Sequence, residues 1–148
     1  MKLKRKHILP ILGVIFILMQ FFRIDKTNPP IDLEMDFIAT EKPPEAIAQK
    51  LVDACYDCHS HDTEYPWYTN IAPVSWWVKG HINNGRQNLN FSKWTEYSEK
   101  KQAHKIEENI EKLENRWMPL SSFVWLHPEA KMSDSENEEM IAYFKSLQ

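Results

Sequence analysis

The stretch Cys55-Tyr56-Asp57-Cys58-His59 holds both cysteines of the chain, with a histidine directly after the second. Residues three and four apart on a helical turn share a face, so two thiols in this spacing reach adjacent vinyl groups at one macrocycle edge. The next residue projects over the same face, where the His59 imidazole meets an iron as its proximal ligand. C-x-x-C-H is therefore the attachment signature of haem c (iron), one per chain, with Cys55 and Cys58 as the covalent anchors. A structural disulfide framework would spread its cysteines to close longer loops, and this pair closes almost none.

Two other chemistries share these residues. A zinc site could begin here and add His61, but no further cysteines exist to complete a knuckle. A thioredoxin-like dithiol also uses C-x-x-C, but it needs a βαβ pattern that the chain lacks. The haem reading leads.

Upstream of the motif, Pro43-Pro44-Glu45 opens a stretch in which Ile47, Leu51, Val52 and Cys55 recur at helical spacing. Downstream, Ser60 to Pro73 reads as an aromatic loop. A second helix runs from Pro73 through Val74, Trp77, Val78 and His81 to a stop at Asn83-Asn84-Gly85. A third follows Ser92 to about Asn115, with Trp94, Tyr97, Ile106, Ile110 and Leu113 facing inward. Ser133-Asp134-Ser135-Glu136 is a capping box for a last helix through Met140, Ile141, Phe144 and Leu147. No alternating strand pattern of useful length occurs, and only three glycines are present, so the class is all-α.

At the other end, Lys2, Lys4, Arg5 and Lys6 precede an apolar run from Ile8 to Phe22. The run is short against the ~20 residues of a spanning helix, so a cleaved signal peptide competes with an uncleaved anchor. No small-x-small site follows Phe22, which favours an N-terminal membrane helix. The positive-inside rule then places everything after Arg23 on the periplasmic face of a bacterial cytoplasmic membrane. Residues 1–24 are thus expected as anchor or signal segment, 25–43 as a proline-bearing tether, and 44–148 as one haem-binding domain. A net charge of -3, with acids and bases interspersed, offers no footprint for nucleic acid.

Beyond the attachment motif, the chain carries Tyr65-Pro66-Trp67-Tyr68, Ile71-Ala72-Pro73-Val74-Ser75-Trp76, Gly85-Arg86, Asn90-Phe91-Ser92-Lys93-Trp94, Met118-Pro119 and Leu126-His127-Pro128-Glu129-Ala130. With Cys55 to Ser60, these resemble the small haem-binding domain family of membrane-anchored c-type cytochromes, over about Pro43 to Gln148. The resemblance implies a compact helical haem c domain whose physiological role is generally unassigned. A wider similarity to small single-haem cytochromes c implies a cytochrome c-like fold, in which a methionine before a proline supplies the second axial ligand. Met118-Pro119 matches that pattern. The stretch from Met118 to Ser133 is longer than a minimal cytochrome c needs, and it contains His127.

Met118 leads as distal ligand because a soft thioether suits ferrous iron, with His127 as the alternative. Met132, Met140, His61, His81 and His104 are weaker candidates. Arg86 has the fork to pair with a haem propionate. The six tryptophans are expected mostly in the core, some walling the porphyrin. No nucleophile beside a base marks a hydrolase or transferase. The expected function is one-electron transfer to an unnamed redox partner. The alternative is a haem-based peroxidase or gas/redox sensor with an open sixth iron position.

Overall fold

A computed structural model describes residues 7–148 of the chain. The basic leader from Lys2 to Lys6, on which the orientation reading rests, lies outside them. Among the described residues the chain is helical throughout and has no strand. In order come α1 (Ile8–Met19), α2 (Phe37–Glu41), α3 (Glu45–Leu51), a π turn (Val52–Tyr56), α4 (Asp57–His59), a 3-10 turn (Trp67–Asn70) and α5 (Val74–Asn88). A second 3-10 segment (Phe91–Glu96), α6 (Glu99–Glu114), α7 (Ser121–Val124), a third 3-10 turn (Pro128–Ala130) and α8 (Asp134–Ser146) complete it.

The expected N-terminal membrane helix is not found. α1 has 12 residues, and no helix among those described is long and apolar enough to cross a membrane. At 1.5 Å per residue it reaches about 18 Å, against roughly 30 Å of hydrocarbon. Gln20 ends it: its amide nitrogen donates to the Phe16 and Ala72 carbonyls at 2.8 and 3.1 Å, and its amide oxygen accepts the Ala72 N–H at 2.9 Å. The chain leaves the helix at that clamp and continues along the domain.

Residues 25–43 do not run as a free spacer. Asn28 donates to the Thr63 carbonyl at 2.8 Å, and the Pro30 carbonyl accepts from His61 Nδ1 at 2.9 Å. Asp36 caps α2 by accepting the Ile38 N–H at 2.9 Å. Phe37, the first residue of that helix, is completely buried. Its ring meets Trp94 edge-on at 4.9 Å and tilts against Phe91 at 5.0 Å, near the favoured separations of aromatic pairs. Ile47, Leu51, Tyr56, Ile106, Ile110, Leu113, Met140 and Phe144 close the core around this trio.

α8 packs as its spacing predicts, and α6 keeps its expected stripe but begins at Glu99 and not just after Ser92, because Phe91–Glu96 forms a separate 3-10 segment and Tyr97 is extended. Ser98 caps α6 by accepting the Lys101 N–H, and Ile106, Ile110 and Leu113 form its buried stripe. The capping box of α8 is complete, with Met140 and Phe144 buried below it. The other helices depart from expectation. Val52 is exposed because the π turn shifts the helix face, so Ala54 and Tyr56 point inward instead. α5 passes through Asn83-Asn84-Gly85 without stopping and buries Ser75 and Ile82. Of the tryptophans only Trp94 is buried; Trp67, Trp76, Trp77, Trp117 and Trp125 are exposed.

Candidate functional site

The helix that enters at Pro44 delivers the motif through the π turn, and α4 ends it at His59. Ser60, the C-cap, is extended, and its hydroxyl donates to the Tyr56 carbonyl at 2.8 Å while accepting the Asp62 N–H at 2.8 Å. Tyr56 turns away from the cysteines into the core, stacking on Phe91 at 5.4 Å and donating to the Asp36 carboxylate at 2.9 Å. Asp57 accepts the Glu64 N–H at 2.8 Å and so folds the following loop back on the motif.

α5 lies directly against this turn. A Cβ on Gly85 would overlap the Cys58 carbonyl oxygen and stand 3.0 Å from its carbon, so only glycine permits the approach. The next residue, Arg86, donates from Nε to the Ser60 carbonyl at 2.6 Å and from Nη2 to Asn28 at 2.9 Å and Thr63 at 2.8 Å. Through Nε and Nη2 it holds the loop and the N-terminal segment together, and it does not border the cavities beside His59.

Cys55 and Cys58 are free thiols, both half-buried. Burial pushes Cys55 up to about 12, with Cys58 beside it adding to the rise; burial likewise pushes Cys58 up to about 11. Both therefore stay protonated at neutral pH. Burial also lowers the His59 imidazole, against a smaller opposing effect of the Leu89 carbonyl. The ring nitrogen Nδ1 lies 3.1 Å from that carbonyl oxygen, which can only accept, so the proton sits on Nδ1 and the Nε2 lone pair is free.

A cavity of about 460 Å³ opens beside His59, bordered by Cys58 and Gly85, by Glu108, Asn109 and Lys112 of α6, and by Met118, Pro119, Leu120 and Phe123. A smaller one, about 40 Å³, continues on the Cys55 side among Leu89, Phe91, Met132, Met140 and Phe144. His59, Asn109 and Met118 border both. The two thiols, the imidazole and the thioether therefore face one crevice of the size and apolar character of a cofactor site. Asn109 Nδ2 is buried without a hydrogen-bond partner. An orphaned donor is costly inside an apolar wall, and a polar group held in the crevice would relieve it. The donor set and this orphan fit a haem.

The other candidates lie elsewhere. His127 has both ring nitrogens engaged, Nε2 by the Tyr68 hydroxyl at 2.6 Å and Nδ1 by Glu129 at 2.9 Å, and it stacks on Phe123 at 4.2 Å. It does not border the crevice. His61 is buried between Pro30 and Asn90, and His104 pairs with Glu108 on the surface. His81 borders the larger cavity, its Nδ1 donating to the Trp77 carbonyl at 2.9 Å. Met132 and Met140 border the smaller one. No group of three or more His, Cys, Asp or Glu that could hold a metal ion occurs among the described residues, which leaves the zinc reading without a ligand set there. Leu89 and Asn109 are positioning residues that the sequence reading missed, and Gly85, which it took for part of a helix stop, holds α5 against the motif. Only Asn109 left a signal, as a polar residue on the inward stripe of α6.

A family model described as a haem-binding domain matches residues 14–146. The chain belongs to the haem-binding domain family. No curated protein and no solved structure matches it. As a member of that family the protein binds haem. The match begins inside α1 and spans the former tether, in accord with the packing of residues 25–43 on the domain.

Proposed function

We propose that this haem-binding domain carries a c-type haem, one per chain, on Cys55 and Cys58, with His59 as proximal and Met118 as distal iron ligand, and that it is a one-electron carrier. The observation that carries the reading is that His59 and Met118 border the same crevice, with the His59 tautomer set by Leu89. Bound haem supplies an iron that gains and loses one electron.

The chain's residues do the rest. Leu89 orients the imidazole and raises its donor strength through the Nδ1–H bond. Met118 presents a soft donor from the loop after α6. Leu89, Phe91, Phe123 and Phe144 form an apolar wall that limits water, which steadies the potential. The basic-then-apolar start of the chain has the layout of an export signal, and it supports a domain working on the periplasmic side.

The test is expression alongside a haem-attachment system, followed by haem staining of a denaturing gel. The parent protein is expected to hold the stain and to show a low-spin spectrum that carbon monoxide leaves unchanged. Cys55→Ala with Cys58→Ala is expected to abolish the stain. A double variant that kept it would remove the attachment site.

A further inference from the structure

The crevice beside His59 is walled largely by apolar side chains, and a haem brings two carboxylates into it. These propionates stand on the macrocycle edge opposite the vinyl groups, so attachment at Cys55 and Cys58 turns them away from the motif. A carboxylate against an apolar wall is costly unless charge and hydrogen bonds meet it. Arg86 is committed to Ser60, Asn28 and Thr63, so the partners must come from elsewhere.

α6 supplies them. Among the described residues no lysine or arginine but Lys112 borders the two cavities beside His59, and Asn109 borders both as well. Three positions apart on a helix, the two side chains share a face. Asn109 Nδ2 is buried without a hydrogen-bond partner. Lys112 makes no ion pair among the described residues; its ammonium stands over the Trp117 ring at 4.6 Å, which keeps the charge in place and leaves its N–H donors uncommitted. Glu108 also borders the larger cavity, but its carboxylate is taken by Lys105 and His104. A carboxylate offers two oxygens to an amide N–H and an ammonium on one face, whereas a thioether is only a weak acceptor.

We infer that Asn109 and Lys112 together anchor a haem propionate at the α6 wall of the crevice, Asn109 through its amide hydrogen bond and Lys112 through its charge. This rests on the haem attachment proposed for Cys55 and Cys58.

Resonance Raman spectroscopy of the full-length holoprotein tests it, because the propionate bending modes follow hydrogen bonding to the carboxylate. Asn109→Leu and Lys112→Met are each expected to shift a bending mode, and Lys112→Arg, which keeps the charge, to leave it near the parental position. Asn109→Ala gives the same reading if leucine is not accommodated. Haem stain and helical signal equal to the parent's show that the variants fold and are loaded. Unchanged bending modes in the variants of either residue overturn the proposal. So does a displaced near-infrared band in the Asn109 variants with parental bending modes, which would assign the amide to the Met118 sulfur. A parent protein without haem stain removes the attachment at the cysteines and this anchor with it, whereas stained variants with unmoved modes remove the anchor alone.

Discussion

Gly85 shows how one missing carbon positions a site. In an exposed helix interior, Gly to Ala gains about 0.8–1 kcal/mol from propensity. At Gly85 the added methyl would strike the Cys58 carbonyl, and overpacking of this kind costs typically 1–3 kcal/mol. Gly80, in the same helix, has nothing within 4 Å of its would-be Cβ and serves as the internal control. Urea denaturation should therefore find Gly80→Ala slightly stabilised and Gly85→Ala destabilised, with weakened haem attachment in the latter. Equal behaviour of the two would remove the close approach as the reason for glycine. The ligands are tested at the same scale. With Met118 on the iron, the oxidised protein should show a weak near-infrared charge-transfer band, lost in Met118→Ala and kept in His127→Ala. Absence of the band in the parent protein, with carbon monoxide admitted by His127→Ala and not by Met118→Ala, would reverse the assignment.

Among the elements, α8 is the one whose stability is most open to titration. Its start is the box between Ser133 and Glu136, and the Glu136 carboxylate is held down to about 2 by the Ser133 N–H first, then by the Ser133 hydroxyl and Lys50. A carboxylate depressed in the folded state contributes stability that is fully present above its unfolded pKa, near the usual value of 4.5, and is lost as pH falls towards 2. Amide exchange in α8 should accelerate over that window in the parent protein, while Glu136→Gln should show a flatter dependence. Ser133→Ala removes the cap itself and should cost about 1 kcal/mol at neutral pH by denaturant titration. The π turn is the second instructive element: a regular 3.6 period would bury Val52, and the wider turn exchanges it for Ala54 and Tyr56 just before the second cysteine.

For the whole molecule, the N-terminal segment is part of the fold. Phe37 fills the centre of the aromatic cluster, Asn28 ties the segment to Thr63 and Arg86, and Gln20 clamps the backbone at Ala72. Phe37→Ala should cost about 3–5 kcal/mol, as for other buried aromatic truncations. Urea titration followed by the far-ultraviolet helical signal measures it. A loss below 1 kcal/mol would mean that the segment lies on the domain without supporting it.

Cys55, Cys58 and His59 read as a haem motif from the sequence because that reading depends only on local spacing along one helical turn. The helical class, the stripe of α6 and the capping box of α8 were legible for the same reason, since helical period and cap chemistry are local. The length of α1 was not, because Gln20 ends it by bonding Ala72, far along the chain. Nor were the burial of Phe37, the commitment of Arg86 or the exposure of most tryptophans, each of which depends on what other segments bring to that place. The choice between Met118 and His127 belongs with them. Both are donors in the sequence, and it is packing that engages both nitrogens of His127 with Tyr68 and Glu129 and sets Met118 beside the crevice that His59 also borders.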